Sequence, residues 1–209
     1  MSKSEPRFCR SALFAAAIVL SVPNFAAAQD LSAASIAKAL SPPVTRSLST
    51  APSVAPEHVA EEQFVNGLRG RTRSLSVSEV SKLDAIVATR RDIDFEMRFA
   101  LNSAELRGKD REIVEKLGEA LDSEGLKTST FLIMGHTDAR GSAKANQKLS
   151  ERRAEAVKKV LVTKYGVAPE RLVTVGYGQT HLKNQEDPHA GENRRVQVVN
   201  IMAFKAAEN

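Results

Sequence analysis

The chain has 209 residues, a formal net charge of +5 at pH 7, 42% hydrophobic residues, no tryptophan and one cysteine. That charge balance is too mild for a nucleic-acid-binding domain, and a lone cysteine excludes a disulfide scaffold. With only eight Phe and two Tyr, any core has to rest on aliphatic side chains.

Residues 1–28 read as a secretory signal peptide. Lys3, Arg7 and Arg10 lead into a short apolar run from Ala12 to Val22, and Ala26-Ala27-Ala28 gives a small-residue exit before Gln29. The run falls short of the ~20 residues that a membrane-spanning helix needs. Cys9 lies ahead of the run, so it is expected to leave with the signal, taking the only thiol and any lipid-anchor chemistry with it. No later apolar stretch suggests a second membrane segment, and the N-terminal arm is too short and polar for a barrel of eight strands of ~10 residues.

Residues 29–56 are rich in Ala, Ser, Thr and Pro, with Pro42-Pro43, Pro52 and Pro56. This composition predicts a disordered linker whose removal leaves the stability of the rest unchanged. Residues 57–91 are expected to be a partly ordered connection. Phe64, Val65 and Leu68 share one side of a short amphipathic helix over 57–68, and Arg69, Arg71 and Arg73 form a basic patch that reads as solvated, with a lipid or glycan contact as the alternative. Leu75 and Val77 alternate as in a strand, whereas Val80, Leu83, Ile86 and Val87 follow helical spacing.

A folded domain is predicted over 92–205. Ile93, Phe95, Met97 and Phe99 alternate as a strand with one buried face. Asn102 and Ser103 end it, and Ile113, Val114, Leu117, Ala120 and Leu121 make an amphipathic helix that stops near Gly125. A buried strand follows from Thr130 to Met134. A long helix runs from about Ala143 to Tyr165 with Gly166 as its cap. Leu172 to Val175 is a third strand, a polar loop spans Gly176 to Asn193, and Arg195 to Phe204 is a last strand. The expected class is α+β: a mixed sheet of about four strands with two main helices packed on it.

The stretch from Phe131 to Arg153 carries the chemistry. A buried strand ends in a turn, bracketed by Gly135 and Gly141, that holds His136, Thr137 and Asp138. The first turn of the next helix supplies free N–H donors and a positive dipole end. On that helix Asn146 and Arg153 occupy the stripe of Leu149, Val157 and Leu161 that should be buried, while Arg152 points away. A helical side chain leans toward the helix N-terminus, so Arg153 is aimed at the end where Asp138 sits. The pair fits a zwitterion, with Asp138 on an ammonium and Arg153 on a carboxylate, and it equally fits an internal Asp138–Arg153 salt bridge that pins the loop.

Other chemistries find little support. His136-x-Asp138 lacks a third nearby metal ligand, so no metal is expected. Ser142 and Ser150 lack a nucleophile-elbow context. Gly176-Tyr177-Gly178 opens no helix and is no dinucleotide fingerprint. Neither catalytic residues nor cofactors are expected.

Gly135-His-Thr-Asp-x-x-Gly141 followed by Asn146-x-x-Leu-Ser-x-x-Arg153-Ala154 resembles the peptidoglycan-binding domain shared by OmpA-like, Pal-like and MotB-like envelope proteins. Gly166-Val167, Arg171, Gly176-Tyr177-Gly178 and Asn193-Arg-Arg-Val196 add to the match, which spans roughly 91–204. The resemblance implies that Asp138 and Arg153 hold the amino-acid end of meso-diaminopimelate in the peptidoglycan stem peptide, with Thr137, Asn146, Arg194 and Arg195 as further site candidates. One of the last two arginines is expected to face the pocket. It also implies a periplasmic protein, associated with the outer membrane through an outer-membrane protein or envelope complex, with peptidoglycan as ligand and no nucleic acid. The alternative is an envelope scaffold with a vestigial pocket that recruits partners through its N-terminal arm. Two positions depart from the pattern: Ala100 stands where an acidic residue is common, and Ala145 where an aromatic usually precedes the asparagine.

Overall fold

A computed structural model describes residues 32–41, 56–69, 75–90, 92–97, 99 and 102–202. The expected signal peptide with Cys9, most of the expected linker, Arg71, Arg73 and Ala100 lie outside the described residues.

Among the described residues nine main elements follow one another. They are α1 (Ala33–Leu40), α2 (Pro56–Leu68), α3 (Val77–Val87), β1 (Asp92–Glu96), α4 (Lys109–Leu121), β2 (Thr130–His136), α5 (Ala143–Tyr165), β3 (Leu172–Gly178) and β4 (Arg195–Met202). Among the described residues the strands form one sheet in the order β1-β4-β2-β3. β2 and β3 run parallel, starting from Phe131 opposite Leu172, and β4 pairs antiparallel with both β2 and β1. A strand with neighbours on both edges and cover on both faces needs an unbroken apolar run. β2 is such a strand, and all seven of its residues are buried.

Alternate residues face opposite layers. Phe95, Phe131, Ile133, Val196 and Val198 pack on Val114, Leu117 and Leu121 of α4 and on Ala154, Val157 and Leu161 of α5. Leu132, Met134, Val173, Val175, Val199 and Ile201 pack on Val65 and Leu68 of α2 and on Leu83 and Ile86 of α3. The sheet therefore carries helices on both faces, more cover than the two predicted helices supply.

Two expectations over the N-terminal part are corrected. Within the segment read as a disordered linker, residues 33–40 form α1, capped by Ser32, with Ile36 and Leu40 buried against α4 and β1. The Leu40 carbonyl also accepts a hydrogen bond from Asn200 Nδ2 at 3.0 Å. Eight residues are too few for a helix to persist alone, and its stability comes from a docking surface made by distant residues. The alternation of Leu75 and Val77 is likewise not a strand. Ser76 and Glu79 form a reciprocal capping box that starts α3, and Val77, 86% exposed, is merely the first helical residue.

Two glycines bring α5 down onto the sheet. A Cβ on Gly135 would overlap the main-chain carbonyl oxygen of Ser150, and one on Gly176 would overlap the Ser150 hydroxyl. Ser150 Oγ uses this closeness to accept from the Gly178 amide at 2.9 Å. Gly135→Ala is expected to cost about 3 kcal/mol, because the opposing atom belongs to helix backbone and cannot swing aside. A urea midpoint equal to that of the parent would contradict this packing.

Candidate functional site

β2 runs two residues further than predicted, through Gly135 and His136, and delivers the chain to a loop over 137–141. Main-chain and capping contacts help to hold the loop. The Thr137 amide donates to the Gly178 carbonyl (2.8 Å), the Ala139 amide to the Pro188 carbonyl (2.9 Å), and Ser142 caps α5 by accepting from the Ala145 amide. Gly141 adopts φ 90, the left-handed region that a Cβ would disfavour. The long loop before β4 is ordered by Asn193, whose amide donates to the carbonyls of Asn184 and Asp187 while its oxygen accepts from the Asn184 amide.

Asp138 is buried yet fully engaged. One carboxylate oxygen accepts from the Arg140 amide at 3.2 Å, and the other accepts from Arg194 Nη1 at 2.8 Å. Arg153 comes from the buried stripe of α5 and is 4% exposed. Its guanidinium carbon stands 4.6 Å from the centre of the Phe99 ring, and its Nε donates to the Ser103 carbonyl at 3.2 Å. These two contacts fix the plane of the group, and its terminal nitrogens have no hydrogen-bond partner among the described residues. Burial, and then the nearby positive charge of Arg194, pull the Arg153 pKa down to about 10, against the opposing pull of Asp138 and Asp110. It remains a cation at neutral pH.

Asp138 and Arg153 thus share an electrostatic neighbourhood without an ion pair between them. The salt bridge that pins the loop runs from Asp138 to Arg194, not to Arg153. Thr137 lies in the same loop with its hydroxyl oxygen buried and without a partner, a cost that a native site rarely carries without use. Asn146 spends its amide inside the protein, on the carbonyls of Arg140 (2.9 Å) and Asp138 (3.3 Å) and on Gln179 Oε1 (2.6 Å). Its place is that of a loop brace. Ala145 is exposed on the first turn of α5.

Arg194 and Arg195 part company, as strand alternation requires. Arg195 turns to the α2–α3 face, where it donates to Asp94 (3.1 Å) and to the His181 carbonyl (3.3 Å). It does not join Asp138. Phe99 and the Ser103 carbonyl were the parts of the site not foreseen. Phe99 reads in sequence as one more core residue, and a main-chain carbonyl leaves no signal there. Arg171, matched by family pattern, is structural: it donates to the carbonyls of Leu121 at the end of α4 and of Leu126 and Ser129 beyond it.

An open cavity of about 260 Å³ lies on the opposite face, lined by Asp84, Met134, His136, Tyr177, Arg195 and Gln197 among others. His136 stacks on Tyr177, and Tyr177 donates to Asp84. Burial first, and then the Arg195 charge, lower the His136 pKa to about 3. The unfolded imidazole takes a proton near 6.5 whereas the folded one resists until about 3, so this stability is complete above about pH 6.5 and is lost as pH falls toward 3. Each unit below about pH 6 should cost ~1.4 kcal/mol, and His136→Gln should show a shallower decline in urea titrations at pH 7, 5 and 4. Parallel declines would mean that His136 protonates freely.

Residues 98–195 match the OmpA family. Outer membrane porin F of Pseudomonas aeruginosa is 33% identical over 107 residues, covering 50% of this chain and 30% of that protein. The peptidoglycan-associated lipoprotein of the same species is 31% identical over 102 residues, covering 48% of this chain and 58% of that protein. The chain thus spans less than two thirds of the length of these curated relatives. The crystal structure of the peptidoglycan-associated lipoprotein from Burkholderia pseudomallei aligns with a TM-score of 0.43 at 25% identity, over 55% of this chain and 92% of that one. The family match begins just after the first strand, covers the Asp138 loop and closes on the Arg194–Arg195 pair: over these residues the chain is similar to the OmpA family.

Proposed function

We propose that this protein works in the bacterial envelope, exported and associated with the outer membrane through a partner, and binds peptidoglycan without chemical turnover. The ligand is the diaminopimelate end of the stem peptide, with Asp138 receiving its ammonium and Arg153 its carboxylate. The observation that carries this reading is Arg153 itself: a buried residue whose guanidinium is held by Phe99 and Ser103, with no hydrogen-bond partner for its terminal nitrogens among the described residues, beside a buried carboxylate loop. An incoming carboxylate would give this guanidinium the paired planar contact that its geometry suits. The name of the relative from Pseudomonas aeruginosa, a peptidoglycan-associated lipoprotein, agrees with the reading.

One observation favours the alternative of a scaffold with a vestigial pocket: Arg194 already occupies Asp138. Co-sedimentation with purified diaminopimelate-type sacculi separates the two. The protein should pellet with the wall, and Asp138→Asn should stay in the supernatant while melting as cooperatively as the parent. Equal pelleting of both proteins would favour the scaffold.

A further inference from the structure

We propose that Arg194 is a latch that sets which stem peptides the site accepts: it holds Asp138 in the empty site and releases it only to a ligand whose own carboxylate takes the guanidinium in exchange. The inference rests on the diaminopimelate reading above and adds the device by which that site rejects a close relative of its ligand.

The two arginines beside Asp138 differ in freedom. Arg153 is fixed by the Phe99 ring and the Ser103 carbonyl. Arg194 sits where the short 3-10 turn Gly191–Asn193 hands over to β4, and its side chain is 35% exposed against 10% for Asp138. Among the described residues its side chain bonds Asp138 Oδ2 alone, at 2.8 Å. It can therefore leave Asp138 at the modest cost of a partly exposed ion pair. Its neighbour cannot stand in for it, because Arg195 is committed to Asp94 on the other face.

Arg194 bonds Asp138, and the charges of both act on Arg153, as do those of Asp110 and the outward Arg152. An ammonium that takes Asp138 for itself displaces Arg194 and leaves two cations facing each other without an anion. A diaminopimelate end brings the missing carboxylate with the ammonium, and both guanidinium groups can then bind it with paired N–H donors. A lysine end brings only the ammonium. The site then discriminates through a repulsive arrangement imposed on the wrong ligand as well as through contacts offered to the right one.

The test is calorimetric titration of the whole protein with a diaminopimelate-containing stem tripeptide and with its lysine counterpart. Arg194→Gln should bind the lysine form about 2- to 5-fold more tightly than the parent, since the competitor for Asp138 is gone. The same variant should bind the diaminopimelate form about 10-fold more weakly, having lost a charged donor. Arg194→Lys retains a cation for Asp138 but not the planar fork. It should keep the parent's weak lysine-form binding and lose part of the diaminopimelate affinity, which separates a latch from a general disturbance of the loop. Lysine-form affinity in Arg194→Gln equal to or below that of the parent would overturn the latch while leaving the diaminopimelate reading intact. A parent that binds neither tripeptide would overturn both.

Discussion

Leu40→Ala is expected to lower the unfolding free energy by about 3 kcal/mol, although it lies in a segment whose composition reads as a tether. Leu40 is 1% exposed and Ile36, one turn earlier, 2%. Both belong to the same apolar cluster as Val114, Leu117 and Phe95. Truncating Leu40 removes buried methyl groups from a layer clamped between α4 and β1, so the surroundings can close over the gap only in part. Deleting residues 32–41 should cost more, because Asn200 would also lose the Leu40 carbonyl that its amide reaches at 3.0 Å. Val77→Ala, at a position 86% exposed, is the reference and should stay within ~0.5 kcal/mol of the parent. Urea unfolding of the three proteins checks this, and a Leu40→Ala midpoint matching the parent would mean that α1 does not dock.

Arg153→Ala should reduce affinity for diaminopimelate-type fragments by at least ~30-fold, the lower end of the ~2–5 kcal/mol lost when one member of a desolvated charged contact is truncated. The size of the effect follows from burial, since Arg153 is 4% exposed as a residue and water competes less for a contact made there than at an exposed arginine. Arg153→Lys should bind nearly as poorly, because an ammonium cannot offer two parallel donors or lie flat on Phe99. Arg152→Ala, one residue away on the exposed side, loses only a 3.5 Å contact with Asn102 and should bind like the parent. Each variant must first melt cooperatively. A folded Arg153→Ala that retained parental affinity would reduce Arg153 to a packing residue.

What the sequence revealed and what it concealed divide along physical lines. α5 was legible from about Ala143 to Tyr165, because a periodic apolar stripe and a capping glycine mark its length. β2 and β4 were legible because central strands need apolar runs. α1 was not, since Ile36 and Leu40 form a helix only against a surface assembled from α4 and β1, and no local pattern encodes a surface that far away. The same limit applied at the site. The placement of Arg153 on the buried side of α5 follows from helical spacing, and its aim toward the helix start follows from side-chain lean. The partner of Asp138 did not follow, because Arg194 reaches it from 56 positions away. Alternation along β4 could have shown that only one of Arg194 and Arg195 faces α5, but not which one, until Val196 and Val198 were placed on that face. Asn146 illustrates a different limit. Motif spacing puts it at the pocket, and only the carbonyls of Asp138 and Arg140 show that its amide faces the loop.

The central claim is that Arg153 receives the carboxylate of a diaminopimelate end while Asp138 receives its ammonium. Competitive titration of the unmodified protein with diaminopimelate-containing and lysine-containing stem tripeptides tests it most directly, because the two ligands differ by that one carboxylate. The account predicts a preference for the diaminopimelate form of at least ~30-fold, corresponding to the loss of one desolvated charged contact. Equal affinity for the two tripeptides would contradict it.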